Sequence, residues 1–315
     1  MKIKFNQSSS LLSVLLIAAL VTGCNGSDNS SSSNSSTQST SNTSISGLAY
    51  DAVTNSVFSV NNFGTLCSIS VSKVPGDISC NIAMPVNIVI TSQVVSDGSG
   101  NIYALGKQVG SNVGYLMQYK TQDQTWTTTQ IQLPYLAAFN KILYRANKLY
   151  LSDPNDGTLY TITLGANTVA SITNYFIESP AVVEDFDTSG NLYFSHQTNN
   201  LDSATFRTVL ATTAYVVPAG SAGGNLASQF GVGNVNINDM AYVNNKIYAC
   251  ADSNFIYSPT GSTAANNWQV LTNQAKPTYF SCDYLTTDSA NLYYVEAIWV
   301  DENTFSNGYI NKVAV

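Results

Sequence analysis

Asp97-Gly98-Ser99-Gly100-Asn101-Ile102-Tyr103 is the stretch that decides the fold, because the chain repeats its core. Asp187-Thr188-Ser189-Gly190-Asn191-Leu192-Tyr193 has the same layout. Shorter copies are Asn55-Ser56-Val57-Phe58, Asn147-Lys148-Leu149-Tyr150, Asn245-Lys246-Ile247-Tyr248 and Asn291-Leu292-Tyr293. The aromatic residues stand at positions 58, 103, 150, 193, 248 and 293, with spacings of 45, 47, 43, 55 and 45. Gly and Asn accept the positive φ that tight turns require. An aliphatic–aromatic pair then opens a strand. Six turn-plus-strand units with a period near 45 residues predict an all-β, six-bladed propeller.

The surrounding residues fill in each unit. Gly47-Leu48-Ala49-Tyr50 and Met240-Ala241-Tyr242 read as strands that precede the turn. Gly64-Thr65-Leu66, Gly114-Tyr115-Leu116, Gly157-Thr158-Leu159, Asn254-Phe255-Ile256 and Gly308-Tyr309-Ile310 read as openings of third strands. Trp126 to Leu133 and Trp268 to Thr272 are candidate fourth strands. The last unit shows three strands, and a segment around Thr43 to Ser46 is expected to close the ring. A pair of β-sandwiches is the alternative, but it offers no reason for six evenly spaced copies.

Composition agrees with this reading. The chain is 10% charged and carries 19 Tyr. It is also rich in Asn, Thr, Ser and Val, a mix that favours strands and turns. No long segment has helical apolar spacing. No basic patch stands out, which argues against a nucleic-acid partner.

At this point the chain resembles six-bladed propellers of the NHL, gluconolactonase-like and streptogramin-lyase-like kind, whose blades often carry Asp-x-x-Gly-Asn-Ile/Leu-Tyr. The resemblance covers residues 45–315 and is structural, since that motif serves many unrelated functions. Glu184, Asp185, Asp239 and Asp283 lie eight to ten residues before a marker aromatic. In a propeller such positions fall on the first strands, which line the central channel. Carboxylate oxygens suit Ca²⁺. The resemblance to gluconolactonase-like proteins implies a divalent ion held near that place. The first three units lack matching acids, and the third has Lys141 there.

The N-terminus carries a second resemblance. Lys2 and Lys4 precede an apolar run from Leu11 to Val21, too short to span a bilayer as a helix. It ends in Val21-Thr22-Gly23-Cys24, which resembles the bacterial lipobox. That implies cleavage before Cys24, lipid on its sulfur and a firm membrane anchor. Asn25 after the Cys implies outer rather than inner membrane under the enterobacterial sorting rule. Residues 1–23 are thus a signal peptide and residues 24–44 a lipidated Cys with a Ser/Asn/Thr-rich tether. That tether has too little apolar surface to fold. Residues 45–315 form the body. Removing Lys2 and Lys4 leaves 10 basic against 19 acidic residues, a net charge of −9.

Four cysteines remain after Cys24: Cys67, Cys80, Cys250 and Cys282. An even number in an oxidising compartment predicts two disulfides. Cys67 and Cys80 flank the turn signal Val74-Pro75-Gly76-Asp77, which favours pairing them across a hairpin and leaves Cys250 with Cys282 on strands of neighbouring blades.

Candidate catalytic chemistry is thin. His196 is the only histidine, and no second residue aligns with it as a catalytic partner, so it reads as structural. Asp153 to Gly157 lacks the later ligands of a calcium loop, so Asp156-Gly157 reads as a hairpin turn. Gln197 to Asn236, with Gly220 to Gly224 inside it, accounts for the long spacing and reads as an extended loop on one face. The functional expectation is a membrane-tethered envelope module that binds a protein or glycan. The alternative is a divalent-metal-dependent lactonase- or lyase-like enzyme at the channel mouth.

Overall fold

The computed structural model describes residues 44–132, 141–152, 158–166, 168–172, 181–202, 207–217, 228–230, 237–251, 254–259, 269–271, 282–301 and 304–315. Cys24 with its leader and tether, the Asp156-Gly157 turn and Gly220 to Gly224 lie outside the described residues.

The described strands form six antiparallel sheets. Sheet one contains Ile45–Asp51, Ser56–Asn61 and Leu66–Ser70. In sheet two, Ile88–Ile90 and Val95–Ser96 both pair with Asn101–Gln108, followed by Gly114–Lys120 and Thr125–Ile131. Sheet three is Ile142–Arg145, Lys148–Ser152, Leu159–Thr163 and Thr168–Ile172. Sheet four is Ala181–Phe186, Leu192–Asp202, Arg207–Val217 and Ser228–Phe230. Sheet five is Ile237–Val243, Lys246–Ala251, Asn254–Pro259 and Gln269–Val270. Sheet six is Cys282–Thr287, Asn291–Asp301 and Thr304–Ala314, with Gly76–Asp77 on its outer edge.

The inner strands form a closed circuit. Ile45–Asp51 touches Val95–Ser96, and contacts pass in turn to Ile142–Arg145, Ala181–Phe186, Ile237–Val243, Cys282–Thr287 and back to Ile45–Asp51. The marker aromatics all sit on second strands. Phe58, Tyr103, Tyr150, Tyr193, Tyr248 and Tyr293 pair with Ala49, Val95, Leu143, Asp185, Ala241 and Thr286 of the inner strands.

Packing runs between sheets. Leu105, Leu116 and Ile131 of sheet two meet Ile142, Leu149 and Ile162 of sheet three. Ile45, Val57 and Ile69 of sheet one meet Tyr293, Val295 and Ile310 of sheet six. Sheets one, two, three and six each share apolar clusters with two neighbours, so their strands read as near-continuous apolar runs.

Two kinds of turn join first and second strands. At Ala146-Asn147 and Asn244-Asn245 both central residues have positive φ, between 47° and 61°, as a two-residue mirror-image turn requires. The longer turns are held by an aspartate. Asp187 Oδ1 accepts the Asn191 N–H at 2.9 Å, and Oδ2 accepts Asn191 Nδ2 at 2.7 Å and the Tyr193 hydroxyl at 3.4 Å. Asp97 holds Asn101 in the same way, and Asp288 holds Asn291 and the Tyr293 hydroxyl. The repeated Asp…Asn-x-Tyr is thus a turn clasp.

Ring closure differs from the expectation. Ser46 belongs to the first strand of sheet one, whereas Gly76-Asp77 pairs with Ile310 and Tyr309 and completes sheet six. The expected turn at Val74 to Asp77 is therefore a seam between first and last sheets. Cys67 and Cys80 are disulfide-bonded and pin that seam segment to sheet one. Cys250 and Cys282 are also bonded, tying sheet five to sheet six.

Gln197 to Asn236 is not simply a loop. Leu192–Asp202 and Arg207–Val217 pair along their whole length, and residues 197–202 and 207–212 continue past the inner strand as a two-stranded ribbon. Sheet six has a second ribbon, because its third strand begins at Thr304, before the expected Gly308. Both ribbons rise on the face where the inner strands begin.

Candidate functional site: a plugged axial channel

Four inner strands carry a register irregularity at one level. It falls between Ser46 and Ala49, Val183 and Asp185, Ile237 and Asp239, and Cys282 and Leu285. A bulge redirects side chains at that point. Glu184, Asn238 and Tyr284 occupy three of these bulges and face the axis.

Glu184 and Asp239 converge on Lys141. Lys141 Nζ donates to Glu184 Oε2 at 2.7 Å and makes a still closer contact with Asp239 Oδ1. Side-chain exposure is 10% for Lys141 and 3% for each carboxylate. The remaining lone pairs are also engaged. Glu184 Oε1 accepts the Ser195 hydroxyl at 2.5 Å, and Oε2 accepts the Met240 N–H at 3.2 Å. Asp239 Oδ2 accepts the Leu285 N–H at 2.8 Å. Asp185 turns the other way and accepts the Tyr242 N–H at 2.7 Å.

One ammonium between two carboxylates leaves a negative excess. Burial raises the Glu184 carboxyl to about 7 even though Lys141 opposes the shift. Burial likewise raises Asp185 to about 6 against two backbone hydrogen bonds. For Lys141, burial would depress the ammonium, but the carboxylates of Asp239 and Glu184 outweigh it and hold it well above the ordinary lysine range.

This cluster plugs the channel. On one side lies a cavity of about 380 Å³ bounded by Tyr50, Asp97, Tyr144, Asp185 and Thr287. On the other lies a cavity of about 540 Å³ bounded by Ser46, Asn61, Asn62, Ser92, Asn238 and Tyr284. Gln93, Lys141 and Glu184 line both.

Of the four expected metal ligands, the structure brings together Glu184 and Asp239, and the place between them is taken by Lys141. Asp185 is committed to main-chain donors. Asp283 lies on the inner strand of sheet six, and its side chain is outside what is described. Among the described residues no three metal-ligating side chains gather around a point. His196 pairs through its backbone with Ala181 and Thr213. Lys141 was visible in the sequence only as a mismatch, the basic residue where other units have acids. A charge of opposite sign at an equivalent repeat position was the available signal for the plug.

No protein-family model matches this chain, and no curated protein matches it. Solved structures do. A Bacteroides thetaiotaomicron protein of unknown function has a TM-score of 0.58 at 12% identity, covering 86% of this chain and 69% of its own. A gluconolactonase-like protein has 0.54 at 15%, covering 86% and 89%. The YCF48 protein bound to a D1 peptide has 0.50 at 10%, covering 87% and 81%. Identities this low establish the fold alone: the protein is a β-propeller. The β-propeller domain of Cps50 (Swd1) from Myceliophteria thermophila is also similar, with a TM-score of 0.50 at 13% identity over 86% of this chain and 82% of that one.

Proposed function

We propose that this protein is a lipid-anchored component of the bacterial envelope whose propeller is a docking module for a protein or glycan. The observation that carries the docking reading is the Lys141–Glu184–Asp239 plug. It engages the channel acids with an internal ammonium and with main-chain donors, and so favours recognition over chemistry at the axis. One solved neighbour is a YCF48 propeller bound to a peptide, which is in keeping with such a role. The anchor rests on Val21-Thr22-Gly23-Cys24 and the polar tether behind it.

Two measurements test this. Cys24→Ala should move the protein from the membrane fraction to the soluble fraction; membrane association in that variant ends the anchor. The purified protein should carry no stoichiometric divalent ion, and chelation should leave its melting temperature unchanged. Bound calcium whose removal lowers that temperature would instead support a metal-dependent lactonase- or lyase-like enzyme.

A further inference from the structure

We infer that the 540 Å³ cavity on the ribbon face is a binding site for a neutral saccharide. This deepens the docking reading and rests on it, by assigning the cavity and the chemical class of its occupant.

The described lining favours one ligand class. Among the described residues its charged groups are Lys141 and Glu184, which pair with each other, so neither is left to hold an ionic ligand by itself. An apolar ligand would bury the Ser46 hydroxyl and the amides of Asn62 and Gln93 against hydrocarbon, whereas Asn61 Oδ1 already accepts the Phe63 and Thr65 N–H groups and Asn238 Nδ2 donates to the Cys282 carbonyl. What remains is an uncharged ligand with many donors and acceptors. Amides both donate and accept, as do sugar hydroxyls.

The Gln93 side-chain amide has no hydrogen-bond partner among the described residues, although the residue is only half exposed. Its position is set from behind. Gly47, at a φ of 69°, lies so close beneath it that any Cβ there would collide with the Gln93 side chain. A half-buried amide held in place and unpaired among the described residues is poised for a ligand, which reduces the entropy lost on binding.

Tyr284 supplies the platform. It is half-buried, packed on one side against the core between sheets six and one, and it lines the cavity. The bulge between Cys282 and Leu285 turns it inward, and the disulfide to Cys250 fixes the start of that strand. An aromatic face flanked by amides fits a pyranose ring, whose C–H face is apolar and whose rim is hydroxylated. The cavity volume lies in the range of small-ligand sites.

The test is calorimetric titration of the Cys24→Ala chain with maltotriose, cellotriose and chitotriose, with trigalacturonate as anionic control. At least one neutral trisaccharide should bind saturably and more tightly than trigalacturonate. Tyr284→Ala should weaken it at least tenfold and Gln93→Ala several-fold. Tyr284→Phe, which keeps the ring, should retain binding, as should Tyr144→Ala in the opposite cavity. Absence of binding by all three, equal affinity in Tyr284→Ala, or equal affinity for trigalacturonate overturns the inference. In-cell cross-linking separates this from the docking reading. A macromolecular partner captured by a chain that binds no saccharide would leave docking standing and remove the saccharide. If neither saccharide nor partner is found, both fall.

Discussion

At the residue scale, the repeated aspartates and asparagines work as turn clasps, and this part of the molecule was legible in the sequence. Asp187 is buried and serves three donors at once. Asp187→Ala should cost about 2–4 kcal/mol, because buried donors lose their acceptor. Urea unfolding of the two proteins measures this, and a loss within error of zero would contradict the clasp. The plug was not legible, because it depends on which repeat positions face one another across the axis. Its titration gives a second prediction. Glu184 and Asp185 are raised to about 7 and about 6 from ordinary values of 4.5 and 3.8. Between roughly pH 4 and pH 7 the folded chain therefore binds more protons than the unfolded one. Stability must then fall as pH rises through that window, by about 1.4 kcal/mol for each pH unit of one fully differing group. Melting temperature measured from pH 4.5 to 7.5 should decline, and Glu184→Gln should flatten the slope. A wild-type melting temperature that rises across the window would refute the assignment. Lys141 acts at the other end, stabilising the fold until pH passes the ordinary lysine range.

At the element scale, the second strands were legible and the seam was not. Each second strand begins with a local signal, a turn plus an aliphatic–aromatic pair, that a reader can find without knowing its partners. Gly76-Asp77 is two residues long and pairs with Tyr309 and Ile310 near the opposite end of the chain. Neither its length nor its composition announces a strand, and its Gly and Asp argue for a turn. The Cys67–Cys80 bond then has a purpose beyond a local hairpin, because Ile78 donates its N–H to Gly308 of sheet six at 3.0 Å. Removing the bond by Cys67→Ala with Cys80→Ala should destabilise the protein by about 3 kcal/mol. Hydrogen exchange should accelerate first at Ile78 and Ile310. Uniform acceleration across all six sheets would mean that the disulfide stabilises the chain without guarding the seam.

At the scale of the whole molecule, the first and last sheets stay joined through strand pairing only while the seam is shut. Sheets one and six share a core of Ile45, Val57, Ile69, Tyr293, Val295 and Ile310, so opening the seam exposes apolar surface on both. Cys250–Cys282 protects the neighbouring interface between sheets five and six. The two bonds therefore bracket sheet six, the sheet assembled from both ends of the body. Reductant should then lower the melting temperature and produce aggregation through sheets one and six. A second copy of Gly76–Asp77, appended after Val315 through a short flexible linker, would complete sheet six from the C-terminal end and remove the dependence on the first bond. The melting temperature of that chain should respond to reductant less than that of the natural one. An equal response would place the critical linkage at Cys250–Cys282 instead of at the ring's seam.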